Sequence, residues 1–226
     1  TTTNTATRFF YASDGAASDL LGWMVRISGD GNTIVAGASS DDTGSYENDG
    51  SAYVYVKGSA WSTATQTQTA KLSPSDAGNS HMFGRSVGIS DDGDTIVAGA
   101  PYHPSGGTSR GAAYVFMKGS SWANMTETCK ITASDAADSD DFGTGVAISG
   151  DASKILIGAQ GADVDGVSDG GACYVYNRPS GNWNASSTLS SHFLKVGGTV
   201  SSDRMGSSQF GNSMDSTGSV FVTSSY

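Results

Sequence analysis

Several groups in this sequence have the types and spacing to do chemistry. Gly84-Arg85-Ser86-Val87-Gly88 has the spacing of the hydrolase G-x-S-x-G elbow, whose serine must sit on a strained turn between a strand and a helix. His81, His103 and His192 form no metal-spaced pair. Asp163, Asp165 and Asp169, in the string Asp163-Val164-Asp165-Gly166-Val167-Ser168-Asp169, resemble part of a calcium loop, since alternating carboxylates supply the hard oxygen ligands that Ca²⁺ takes. A solvated acidic loop is the plainer reading of the same residues. Asn124-Met125-Thr126 and Asn184-Ala185-Ser186 are acceptor sequons for N-linked glycan. Cys129 and Cys173 are too few for a disulfide framework; they read either as two buried thiols or as one disulfide between neighbouring structural units.

What these residues can do depends on the elements that hold them. Phe83 to Pro101, FGRSVGISDDGDTIVAGAP, reads as a strand from Arg85 to Ile89, a tight turn at Asp92-Gly93 and a strand from Thr95 to Ala98. Pro101, without a backbone N–H, takes the chain out of the sheet. Ser86 therefore lies inside a strand with no helix after it, and the elbow match is fortuitous. No nucleophile, base and oxyanion set comes together, and the sequence predicts a protein that is not an enzyme.

The same stretch recurs. Leu21-Gly22 leads to Ala36-Gly37-Ala38, and Phe142-Gly143 leads to Ile157-Gly158-Ala159. Phe210-Gly211 opens a last copy ending near Val222 and Thr223-Ser224-Ser225. Tyr53, Tyr114 and Tyr174 recur with it, and Trp61, Trp122 and Trp183 stand 61 residues apart. A fixed period of that size marks a repeat architecture with one supersecondary unit per repeat. Each unit predicts a first strand (Trp23 to Ile27; Arg85 to Ile89; Thr144 to Ile148), a second (Thr33 to Ala36; Thr95 to Ala98; Lys154 to Ile157) and a third (Ser51 to Val56; Ala112 to Met117; Ala172 to Asn177). An outer strand follows at Ala70-Lys71-Leu72 and Cys129-Lys130-Ile131, with Arg8-Phe9-Phe10-Tyr11 as its counterpart before the first unit. Asp14, Asp76, Asp135 and Asp203 each precede the opening Phe or Leu by 7 residues and are predicted to accept N–H bonds in a turn. The tryptophans read as packing between units rather than as sugar-stacking platforms.

Phe83-Gly84 followed by Gly99-Ala100-Pro101 resembles the FG-GAP repeat, the unit of the integrin alpha-subunit β-propeller and of other extracellular propellers. Leu21, Ser39 and Gln160 are departures from the pattern. The resemblance implies an all-β fold of four-stranded antiparallel blades: three full repeats plus parts of others, a portion of a larger ring of about seven blades that would need roughly 430 residues. Residues 1–226 read as one propeller region, with 1–20 carrying the outer strand of a preceding blade, 21–73 the first repeat, 83–132 the second, 142–196 the third and 210–226 the start of a fourth. Integrin-type repeats bind calcium in a long acidic loop between strands one and two. The loops here, SGDGN, SDDGD and SGDAS, are short, so that site is expected to be missing.

Net charge is −10, from 12 Lys plus Arg against 22 Asp plus Glu, and no basic run occurs. Nucleic-acid and anionic-membrane binding would lack their main electrostatic attraction and are excluded on that ground. No apolar stretch approaches a membrane span. The expectation is a non-enzymatic extracellular or cell-surface module that binds proteins, mediates adhesion or self-assembles. Its loops 39–50, 101–111 and 160–170 vary on a repeated frame. A glycan-binding propeller, or the non-catalytic part of a larger secreted hydrolase, is the alternative. No cofactor is expected, calcium at Asp163, Asp165 and Asp169 being the one alternative. In a eukaryotic secretory pathway both sequons are expected to carry glycan.

Overall fold

A computed structural model describes residues 9–61, 65–180, 182–185, 188–202, 204–207 and 212–223. Among the described residues the chain forms three four-stranded antiparallel sheets, the second extended by Thr188–Leu189 in parallel, and the first hairpin of a fourth. The first sheet holds Val25–Ile27, Thr33–Ala38, Ser51–Val56 and Ala70–Leu72 in chain order. The second holds Ser86–Ile89, Thr95–Ala100, Ala112–Met117 and Cys129–Ile131. The third holds Phe142–Ile148, Lys154–Ala159, Ala172–Asn177 and Leu194–Gly197, and the fourth begins with Ser213–Met214 and Phe221–Val222. Four-stranded antiparallel sheets repeated in this way are propeller blades.

The third strands lie where the sequence predicts them. The second strands run two residues further than predicted, because the Gly-Ala that ends each one stays in the ladder: Gly99 faces Ala113 and Ala100 faces Ala112. These strands are apolar on successive residues because both faces are covered. Val35, Val54 and Leu72 of the first blade pack on Phe83, Val87 and Phe116 of the second. Val97, Val115 and Ile131 of the second pack on Phe142, Ile155 and Tyr176 of the third.

The recurring dipeptides have a common backbone cause. The glycine after each Phe adopts positive φ, +81° at Gly84 and +96° at Gly143, where side chains are strained. Its carbonyl lies against the glycine of the preceding blade's Gly-Ala pair. A Cβ on Gly37 would stand 1.9 Å from the Gly84 oxygen, and one on Gly99 1.9 Å from the Gly143 oxygen. The two halves of the motif thus meet across the gap between blades. The same contact recurs at the end of the third blade, where Gly158 meets the carbonyl of Gly206, at φ +86°, with Met205 before it. The predicted opening pair Phe210-Gly211 lies outside the described residues, as do Asp203, Arg8 and residues 224–226.

A feature the sequence does not announce closes the rim of the blades. Gln66–Thr67 runs parallel to Phe10–Tyr11, and Thr188–Leu189 runs parallel to Lys130-Ile131, with a single parallel bridge from Leu72 to Met125 between them. Each outer strand is therefore clasped by the segment that precedes the next blade's outer strand.

Candidate functional site

The loops joining second to third strands and the turns joining one blade to the next share one end of the blades, and they are knitted by backbone bonds. Ser80 and Phe83 donate to Glu47 and Asp49, Ser139 and Phe142 donate to Thr108 and Arg110, and Ser202 and Met205 donate to Ser168 and Gly170. On this frame stands a constellation that recurs in each full blade. A tyrosine of the third strand and a lysine of the outer strand are direct cross-strand partners, Tyr53 with Lys71, Tyr114 with Lys130 and Tyr174 with Lys195. The ammonium lies over the ring in all three, 5.3, 5.7 and 5.0 Å from its centroid. In the first two blades both groups meet the aspartate of the turn that leads into that blade, and in the third the lysine does.

The turn aspartates accept backbone N–H bonds, as at Asp14 and Asp135, and also reach side chains of the blade that follows. Asp14 accepts from the Tyr53 hydroxyl at 3.0 Å and from Lys71 Nζ at 2.7 Å. Asp76 accepts from Tyr114 at 2.8 Å and Lys130 at 2.6 Å, and Asp135 pairs with Lys195 at 2.6 Å. Burial pushes the Asp76 carboxyl up, but hydrogen bonds from His103, Lys130 and Tyr114 outweigh it and hold the group well below the usual carboxylate range. The same opposition, with Lys71 and Tyr53 as donors, leaves Asp14 below its ordinary value. Burial, then the neighbouring carboxylates, push the Tyr53 and Tyr114 phenols far up, so both stay protonated donors.

A third position in the constellation changes from blade to blade. In the first it is Asp41, 2 % exposed, which accepts from Tyr53 at 3.0 Å and pairs with Lys71 at 2.8 Å. In the second it is His103, whose Nε2 lies 3.1 Å from Asp76. Ser105 N–H donates to His103 Nδ1 at 3.0 Å, which requires a bare Nδ1 and puts the ring proton on Nε2, facing the carboxylate. In the third it is Ala162. His81 stacks edge-on against His103 with ring centroids 4.6 Å apart, so the fold joins two histidines that sequence spacing keeps separate. Ser105 Oγ also lies 2.9 Å from Nδ1, but it donates to the Gly111 carbonyl at 2.8 Å. The Ser105, His103 and Asp76 group thus braces its loop, with no free hydroxyl proton aimed at a base.

The other predicted positions are placed as follows. Ser86 is buried in its strand and donates to the Gly143 carbonyl at 2.8 Å. Asp163 Oδ1 accepts the Asp169 N–H at 2.9 Å across a loop pinched by Val164 and Val167, the role Asp42 plays toward Asn48 at 2.7 Å in the first blade. Asp163, Asp165 and Asp169 are not brought together as a ligand set; among the described residues no group of three or more acid, His or Cys side chains is placed to hold a metal ion. Asp30, Asp92 and Asp151 in the short turns accept their own turn's N–H and serine hydroxyl.

Cys129 and Cys173 are both buried free thiols. This corrects the disulfide alternative, because they face different cores. Cys129 packs between the second and third blades, whereas Cys173 packs with Met205, Met214 and Phe221 of the fourth. Burial pushes each thiol up to about 11. Trp61, Trp122 and Trp183 donate from Nε1 to the Gly31, Gly93 and Ala152 carbonyls at 3.2, 3.0 and 2.9 Å, locking the hairpin between first and second strands. Trp122 and Trp183 are buried, so their ring faces are closed to a sugar.

Asn124 is exposed on the rim, and its Oδ1 accepts the Lys71 N–H at 2.8 Å, which leaves Nδ2 for a glycan. Asn184 is exposed in the short helix Trp183–Ala185, while Ser186 of its sequon lies outside the described residues. No helix among the described residues is long and apolar enough to cross a membrane.

Two comparisons with known proteins bear on this arrangement. The family model described as the FG-GAP repeat matches residues 7–55, 66–116 and 125–176, more than half of the chain. No curated protein matches it.

Proposed function

The chain belongs to the FG-GAP repeat family, and from that premise we propose that it is a non-enzymatic, extracellular or cell-surface module that binds other proteins, and that the exposed face of its first blade seats a further blade. One observation carries the reading. Val25 and Ile27 are 46 % and 55 % exposed, whereas their repeat counterparts Val87, Val146 and Ile148 are 1, 3 and 8 % exposed beneath the blade before them. Leu21 and Gly22, with Phe10, Ile34, Ala36 and Tyr55, frame an apolar hollow of about 230 Å³ beside them. Gly22 keeps the positive φ of its counterparts, +89°, although no atom stands within 4 Å of its Cβ position. This face therefore has the shape and chemistry that accept another β-sheet of the same kind. Apolar surface of this sort marks interaction sites on folded proteins.

The variable loops support the interaction reading, since recognition commonly resides on loops held by a rigid frame. Sedimentation velocity over a wide concentration range tests it. Concentration-dependent association is expected, and Val25→Asp with Ile27→Lys should abolish it while leaving the circular dichroism spectrum unchanged. A species that stays monomeric at every concentration removes the assembly reading.

A further inference from the structure

The first strands of all four blades converge on a cavity of about 190 Å³. Repeat-equivalent positions on these strands place Arg26, Gly88, Ala147 and Ser213 around it, so Arg26 is the one long, charged side chain at a position otherwise kept small. The turns that follow contribute a second ring of equivalents, Gly29, Asp91, Gly150 and Ser216, again with one charge. Gly29 and Gly150 are shaped around that charge. A Cβ on Gly29 would lie 2.7 Å from Asp91 Oδ1, and one on Gly150 would lie 2.1 Å from Asp91 Oδ2.

Neither charge is satisfied by the protein. The Asp91 backbone is engaged, with its N–H on Gly150 and its carbonyl receiving Asp30, but among the described residues its carboxylate accepts no hydrogen bond and joins no ion pair. Arg26 spends Nη1 on Met24 Sδ at 3.1 Å and the Val25 carbonyl at 3.0 Å, and among the described residues Nε and Nη2 have no partner. The two opposite charges line one small cavity without reaching each other.

We propose that this cavity is a binding site for a small zwitterion of the α-amino acid type, with the ligand carboxylate on Arg26 and its ammonium on Asp91. A guanidinium presents a planar fork that matches a carboxylate, and a carboxylate accepts ammonium donors. An anion or a cation alone would answer one charge and leave the other, whereas a zwitterion answers both. The cavity holds roughly six waters' worth of volume, which suits a ligand of a few heavy atoms. Ser213, Ser216 and Asn212 on its wall offer neutral polar partners for the remainder.

Free glycine is the first probe, titrated into ¹⁵N-labelled protein with acetate and methylammonium as half-ligands. Glycine should move the amide signals of Gly88, Gly150 and Ser213, and it should bind at least about tenfold tighter than either half-ligand, the margin expected when a second charge-assisted hydrogen bond is added. Arg26→Ala and Asp91→Gly each install a residue type the repeat itself uses, so their spectra should stay folded while the response to glycine is lost. Absence of shifts at about 10 mM glycine, where even a weak site would fill, overturns the proposal. So does a response that survives in Arg26→Ala, or acetate binding as tightly as glycine, which would make the cavity a simple anion site.

Discussion

Replacing Gly99 by alanine adds one methyl group at the point where the two halves of the repeat motif meet. The new Cβ would stand 1.9 Å from the Gly143 carbonyl oxygen, 2.8 Å from its carbonyl carbon and 2.6 Å from Ser86 Oγ. Ser86 is no flexible surface group, because it is buried and hydrogen-bonded to that same carbonyl. Restoring ordinary contact means moving the third blade's backbone by roughly 1 Å or more against a packed neighbour. Overpacking usually costs about 1–3 kcal/mol, and a backbone-on-backbone clash belongs at the upper end, about 3 kcal/mol. Alanine itself favours folding by about 0.4–1 kcal/mol through the unfolded chain, so the sign of the effect is informative. The net loss is then about 2–2.6 kcal/mol, which for a protein of this size corresponds to a fall in Tm of roughly 4–10 °C. Gly119→Ala is the control: nothing lies within 4 Å of its Cβ position, and it should be neutral or slightly stabilising. Thermal unfolding by circular dichroism reads both. If Gly99→Ala melted with its control, the motif could not be an inter-blade contact.

Other outcomes follow from the same geometry. Trp183→Phe removes the bond to the Ala152 carbonyl at a buried site and should cost about 1–3 kcal/mol by urea denaturation, whereas Trp61→Phe, at a half-buried site, should cost less; equal costs would contradict the assigned role. Because the Asp76 carboxyl is held below its ordinary value, its contribution is present above the unfolded value near 3.9 and is lost as pH falls through the folded value. With Asp76 41 % exposed, solvent screening limits that contribution to about 1 kcal/mol. Stability should therefore drop on acidification below about pH 4 more steeply in the wild type than in Asp76→Asn, and parallel curves would exclude the effect.

The strand pattern and the repeat were legible because both reside in local periodicity. Val54, Tyr114 and Ile157 sit on runs whose burial on two faces leaves a continuous apolar signature. The register between blades was not legible. Met205-Gly206 makes the contact of a Phe-Gly pair without a phenylalanine, and only the close approach of Gly158 identifies it. The Tyr53, Lys71 and Asp14 group joins residues far apart in the chain, and a turn-type aspartate looks alike in sequence whether it accepts from its own backbone or from the next blade. Gln66–Thr67 has no alternation to mark it as a strand, because its partner is the rim of another repeat. His81 and His103 meet only because two loops are knitted side by side. Arg26 and Asp91 stand out by comparison with their own repeat equivalents, once the structure shows that those equivalents share one cavity.

The parallel clasps along the rim bear on how such a molecule responds to force. The Gln66 N–H donates to the Phe9 carbonyl, Ser73 donates to Met125 and Met125 to Lys71, and Thr132 donates to Leu189. Tension drawn along the chain meets these seams lengthwise, so their bonds must slide past one another together instead of opening in succession from one end. A blade cannot be peeled away without also shearing the edge of its neighbour. The seam makes the row of blades mechanically continuous along its rim.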